Sequence, residues 1–152
     1  MRRSVQHRIL SGTGAEAIER TDTIQPLWNE YGTLVRVHLR GGPDASVILK
    51  HIQIPERLRH PRGFASDMSR RRKIQSYQVE THWYRNQNER LGDGSPTPKC
   101  FDAFSDGEEL FLLLEDLHCR GFDRVQCDVQ WAEMVVVLEW LAAFHATFIG
   151  DP

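Results

Sequence analysis

The chain has 152 residues, 40% of them hydrophobic and 26% charged, and a formal net charge of −2. That balance suits one globular domain and excludes a disordered chain, a fibrous repeat and a low-complexity tail. The charge is unevenly spread, with eleven of the nineteen Lys and Arg in residues 50–99 and eleven of the twenty-one Asp and Glu in residues 100–152, as expected of an anionic partner or of two surfaces that face each other.

The first dozen residues are polar and punctuated by Gly12 and Gly14. They are expected as a loose arm leading to a short helix over 15–20, so that residues 1–22 stand apart from a lobe over 23–117. Strand-like runs over 23–28 and 33–40 flank Asn29-Glu30-Tyr31-Gly32, which has the chemistry of a hairpin loop. In the second run Leu34, Arg36, His38 and Arg40 alternate with Val35, Val37 and Leu39, so its two faces differ. After the turn Gly41-Gly42-Pro43-Asp44 comes Ser46-Val47-Ile48-Leu49-Lys50, the expected third strand of an antiparallel meander, ending on its lysine. Read alone, a lysine at the water end of a strand is as well explained by snorkelling as by a ligand role.

Residues 53–67 read as a loop, with Ser66-Asp67 as N-cap signal for a helix over 68–90. On that helix Ile74, Tyr77, Thr81 and Tyr84 share a face, and Glu80 falls at its rim, where a partly solvated edge residue is the default. A turn segment over 91–98 precedes strands over 99–103 and 109–114, joined at Ser105-Asp106-Gly107. The second of these, Leu110-Phe111-Leu112-Leu113-Leu114, lacks alternation, so it is expected to be covered on both faces and central in its sheet. It runs into Glu115-Asp116-Leu117. A last helix over 128–148 carries Trp131, Met134, Leu138, Leu141, His145 and Phe148 on one side and Val135, Val136, Trp140 and Phe144 on the other. Such a helix needs neighbours on both sides. His145 among them is expected to be a packing residue.

Cys100, Cys119 and Cys127 are odd in number and lack zinc spacing, so neither a disulfide framework nor a metal site is expected, and reduced thiols point to a cytoplasmic setting. No apolar stretch of signal length follows Met1, and the apolar segment near residue 140 is broken by Glu133, Glu139 and His145, so no membrane span or membrane partner is expected.

The order of elements resembles the N-terminal lobe of a protein-kinase-like fold: an α+β lobe with a five-stranded antiparallel sheet and one long helix, then a linker and a helix of a second lobe over 118–152. More closely, Trp28-Asn29-Glu30-Tyr31-Gly32, Ser46-Val47-Ile48-Leu49-Lys50, Ser76-Tyr77-Gln78-Val79-Glu80 with Trp83-Tyr84, Leu112-Leu113-Leu114-Glu115-Asp116-Leu117 and Leu141-Ala142-Ala143-Phe144-His145-Ala146 resemble the choline-kinase-like and ecdysteroid-kinase-like branch of the aminoglycoside phosphotransferase superfamily. Any one of these segments is weakly specific; their common order is specific. The resemblance implies an ATP-dependent phosphotransferase acting on a small-molecule hydroxyl. It implies that Lys50 contacts the α and β phosphates of ATP and that Glu80 holds its ammonium. The loop with Tyr31 and Gly32 would cover the phosphates, and backbone groups of Glu115, Asp116 and Leu117 would hydrogen-bond the adenine edge.

The departures are equally informative. The family's second lobe carries a His-Gly-Asp catalytic loop and a later Mg²⁺-binding Asp, and no His-Gly-Asp or Asp-Phe-Gly triplet occurs here. Gly32 stands alone where protein kinases have three loop glycines, and there is no Walker lysine motif. The expectation is a nucleotide-binding lobe, a fragment inactive alone, with no catalytic base and no metal ligands of its own. The acceptor would be held by the lobe that is missing. The competing reading is a free-standing interaction module whose terminal helix, through Trp140 and Phe144, pairs with another chain or a second copy. Nucleic-acid binding through Arg57, Arg59, Arg62 and the run Arg70-Arg71-Arg72-Lys73 is disfavoured, since no aromatics are interleaved and no nucleic-acid module fits. A dinucleotide-binding oxidoreductase is weaker still, because no G-x-G-x-x-G follows a strand.

Overall fold

A computed structural model describes residues 1–53, 67–91 and 96–150. The expected loop over 53–67, with Arg57, Arg59, Arg62 and Ser66, therefore lies almost wholly outside the described residues. So do residues 92–95 of the turn segment.

The chain opens with a helix, α1 (Arg3–Thr13), followed by β1 (Ala17–Pro26). The expected loose arm is thus helical, and in place of the expected short helix over 15–20 the strand β1 begins at Ala17. Val5, Ile9 and Thr13 recur every fourth residue and are buried, which gives α1 one apolar stripe in an otherwise polar sequence. Fully burying Val5 and Ile9 contributes about 1.5–3 kcal/mol each, enough to dock a polar helix. Gly14, at φ 69°, closes α1 by donating its N–H to the Leu10 carbonyl. Arg2 pairs with Asp106 and Glu109, and Arg8 with Asp102 at 2.8 Å, fixing α1 to the far side of the sheet.

Strands β2 (Gly32–Arg40), β3 (Ser46–Ile52), β4 (Cys100–Asp106) and β5 (Glu109–Glu115) complete an antiparallel sheet of order β1-β2-β3-β5-β4. Both faces are covered. Val37, Leu39, Val47, Leu49, Phe111 and Leu113 pack with Val5 and Ile9 on one face. The other face meets α2 (Asp67–Asn86) through Tyr77 and Tyr84, against Ile52 and against Leu112 and Leu114 respectively. The uninterrupted apolar run of β5 follows from this: Leu112 and Leu113 point to opposite faces and both are 0% exposed. The α+β lobe with five antiparallel strands and one long helix across the sheet is the kinase-like architecture that the resemblance implied.

After β5 a short 3₁₀ turn over Leu117–Arg120 leads to α3 (Trp131–Thr147). It starts a few residues later than expected because Gln130 and Glu133 form a reciprocal cap, with the Gln130 amide donating to Glu133 Oε2 at 2.8 Å. One expectation about α3 is corrected. Trp140 and Phe144 do have neighbours within the chain: the Trp140 indole N–H donates to the Pro96 carbonyl at 3.1 Å, and the Phe144 ring lies 5.7 Å from that of Trp83 on α2. Left open are Trp131, 76% exposed, and Leu138, 51% exposed, on the opposite side, together with Val136 and Val137. No helix of the described residues is long and apolar enough to cross a membrane.

Candidate functional site

On β3, Ile48, Lys50 and Ile52 alternate with Val47 and Leu49, so Lys50 projects from the α2 face of the sheet with apolar residues on either side. The strand runs on to Ile52, so Lys50 sits within it rather than at its water end. Its cross-strand neighbours are Leu34 of β2 and Leu112 of β5. Across from it, Glu80 lies one turn beyond the buried Tyr77 on α2. Lys50 Nζ meets Glu80 Oε1 at 2.5 Å, with the side chains 18% and 31% exposed. The ammonium also lies 5.5 Å from the Tyr77 ring centroid. A lysine held on an apolar wall by one carboxylate and one ring is oriented, and it keeps donors for a further anion. Burial, and then the nearby Glu80, push the Tyr77 hydroxyl above its usual range, and burial pushes Tyr84 up to about 12. Both phenols are neutral packing groups here.

The loop before β2 is a 3₁₀ turn over Trp28–Glu30. The Glu30 amide donates to the Leu27 carbonyl at 3.1 Å, the Tyr31 amide to the Trp28 carbonyl at 3.3 Å and the Leu27 amide to the Gly32 carbonyl at 2.8 Å. The loop thus spends three amides internally. Tyr31, expected over the phosphates, is 1% exposed, its ring packed in the core beside Tyr77 and Ile52. Gly32 has φ 134°, and a Cβ there would stand 2.0 Å from the His51 carbonyl oxygen. Its role is close strand approach. What the loop leaves open is the Trp28 ring, 59% exposed.

The linker Glu115, Asp116, Leu117 borders a cavity of about 380 Å³ whose apolar walls are Leu34, Ile48 and Leu114. The Glu115 amide donates to the Lys99 carbonyl, the Asp116 carbonyl accepts from Cys119 and the Leu117 carbonyl accepts from Phe122. Among the described residues the amides of Asp116 and Leu117 are left unused. The Asp116 side chain is 3% exposed and ties three elements together. Arg36 of β2 donates to it through Nε at 2.6 Å and Nη2 at 3.2 Å, the Ser46 hydroxyl of β3 at 2.6 Å, and the His118 amide at 3.2 Å. Burial alone would raise its pKa, but the hydrogen bonds from Arg36, Ser46 and His118 outweigh burial and hold the carboxyl below its usual range. The same hydrogen bond raises Arg36.

The structure therefore brings Lys50 and Glu80 together, places Glu115, Asp116 and Leu117 at a cavity walled in part by Ile48 of β3, and withdraws Tyr31 into the core. Arg36 and Ser46 were not singled out from the sequence. Their partner is 80 and 70 positions away, and no periodicity reports a pairing at that range. A larger cavity of about 630 Å³ lies at the β4 edge, but its Arg8 is paired with Asp102 and its Arg85 donates to the Ala103 carbonyl. Neither Lys50 nor Glu80 is among its described lining residues. Burial raises the Cys100 thiol there to about 11, so it is not a nucleophile at neutral pH. Among the described residues no group of acidic, His or Cys side chains is placed to hold a metal ion.

Among curated proteins none matches the chain. The model of the ecdysteroid kinase-like family matches residues 37–149, from within β2, across the Lys50–Glu80 pair and the linker, to just past the end of α3. On that match, and on the lobe built around the pair, the chain belongs to the ecdysteroid kinase-like family.

Proposed function

We propose that these residues form the ATP-binding lobe of a small-molecule O-phosphotransferase. The observation that supports this most directly is the 2.5 Å pair between Lys50 and Glu80 on the cavity side of the sheet. The cavity of about 380 Å³ has the apolar walls an adenine needs, and the unused amides of Asp116 and Leu117 border it. Lys50 would take the phosphates, with Glu80 fixing the ammonium by a charge-assisted bond. ATP supplies the phosphoryl group for transfer to a hydroxyl. That transfer depends on positioning a base and Mg²⁺, and no His-Gly-Asp occurs among these residues. The chain by itself is accordingly a binding lobe without turnover, and acceptor selection lies with other residues.

The test is calorimetric titration of the chain with MgATP, together with a turnover assay. Binding is expected, and Lys50→Met should weaken it about tenfold or more, the worth of one hydrogen bond to a charged group. Absence of binding overturns the nucleotide reading. ATP turnover by highly purified protein that disappears in Lys50→Ala overturns the claim of inactivity.

A second reading, association through α3, is favoured by the open stripe Trp131, Met134 and Leu138. A second copy of the chain would bury it, and an aromatic anchor of roughly 150–250 Å² among aliphatic neighbours is the chemistry such contacts use. Self-association at tens of micromolar is the expected result in sedimentation, lost on joint Trp131→Ser and Leu138→Ser substitution with the sheet intact. A clean monomer removes this reading and leaves the nucleotide reading untouched.

A further inference from the structure

Lys73, Tyr77 and Glu80 follow one another at spacings of four and three on α2, so they share a face. The Tyr77 ring lies 5.5 Å from Lys50 Nζ and 4.6 Å from Lys73 Nζ. The two ammonium groups are therefore no more than about 10 Å apart, on one aromatic platform. Their partners differ. Lys50 has Glu80. Among the described residues Lys73 meets rings, Tyr77 and, at 6.0 Å, Trp28, and no carboxylate of these residues is in ion-pair reach of it. Its stem is half-buried, so the charge is held in place rather than free to swing into water. Lys73, Arg72, Ser69 and the exposed Trp28 ring line a cavity of about 340 Å³ at the mouth of the loop before β2. Two cations and an aromatic wall, with no acidic side chain among the described lining residues, form a site for an anion.

We propose that Lys73 is a second phosphate-binding cation, taking the terminal phosphate of a nucleoside triphosphate whose inner phosphates lie at Lys50, with the Trp28 ring closing the site from the loop. This rests on the nucleotide reading of the cleft. The charges are ordered accordingly: Lys50 is shared with Glu80, whereas Lys73, at the outer end, keeps its full charge for the ligand. The loop, whose amides are bonded internally, contributes the Trp28 ring as a wall of the site and not as a donor. A lysine rather than an arginine suits a phosphate that must later be surrendered, because an ammonium holds it as a point charge and not as a bidentate fork.

The experiment compares ATP, ADP and AMP binding, by calorimetry at one ionic strength, for the whole chain and its Lys50→Met, Lys73→Met and Lys73→Arg variants. Thermal midpoints serve as the check on folding. Lys73→Met should weaken ATP about tenfold, as loss of one bond to a charged group does, and leave AMP unchanged. Lys73→Arg should keep the preference for ATP over AMP, and it carries the test if Lys73→Met is poorly folded. The steepness of ATP binding against salt should fall in Lys73→Met, since one fewer cation meets the phosphates. If the unaltered chain binds all three nucleotides in a Lys50-dependent way and Lys73→Met weakens all equally or none, Lys73 is a packing residue and the proposal is overturned. If the unaltered chain binds no nucleotide, the reading of the cleft fails first and this proposal fails with it.

Discussion

Asp116→Ala is expected to lower the stability of the chain by about 3 kcal/mol, because it leaves the partners of a buried ion pair without their acceptor. The carboxylate is 3% exposed and accepts from Arg36, Ser46 and the His118 amide. After truncation Arg36, 31% exposed, can turn toward water, which holds the loss at the lower end of the usual range, but the Ser46 hydroxyl, on a residue only 6% exposed, cannot. A loss of that size in a domain of this length lowers the thermal midpoint by roughly 10 °C. Asp116→Asn keeps one acceptor oxygen and should fall between. The pH dependence has a definite sign. The folded-state pKa of Asp116 is depressed, so its contribution is fully present above the unfolded carboxylate value of about 3.9 and is lost as pH falls through the lower folded value. Acid titration of stability should therefore show a limb below about pH 4 that is shallower in Asp116→Ala. Equal acid limbs in the two proteins would sink the assignment. The same network joins β2, β3 and the linker around the cavity, so on the proposed nucleotide reading affinity should fall as well, and more for ligands carrying a base than for inorganic triphosphate.

Gly32→Ala should be at least as damaging, with a loss of about 3 kcal/mol or more from two additive causes. The backbone φ of 134° lies where side chains are rarely tolerated, and the new methyl would stand 2.0 Å from the His51 carbonyl oxygen. That oxygen belongs to the backbone of β3, so relief requires the first pair of the β2–β3 ladder, Gly32 with Ile52, to part. Opening it would loosen the Tyr31–Ile52–Tyr77 cluster against which Lys50 is set. Denaturant unfolding measures the loss. Gly107→Ala is the matched control: φ is 66° but nothing lies within 4 Å of its Cβ position, so only about 1 kcal/mol of conformational cost is expected. Similar losses at both positions would mean that the close approach to His51 is not the cause.

Much of the site was legible in the residues themselves. Val47 and Leu49 flanking Lys50 in a strand, and Glu80 one turn from Tyr77 and Tyr84 in a helix, are local patterns, and local patterns fix which way a side chain points. The apolar run of β5 likewise announces two covered faces. Only the tertiary structure could decide the rest. That Arg2-to-Thr13 polarity conceals a helix depended on Val5 and Ile9 finding the Val37–Val47–Leu113 face of the sheet. That Tyr31 is core, not lid, depended on α2 bringing Tyr77 beside it, that Phe144 finds a partner depended on Trp83 of the same helix, and that Trp140 does depended on Pro96. Arg36, Ser46 and Asp116 meet only because the sheet order sets β3 between β2 and β5. Periodicity along a chain reports the faces of single elements; which faces meet is decided when distant elements pack, and there the ion pair, the buried carboxylate and the closed loop acquire their chemistry.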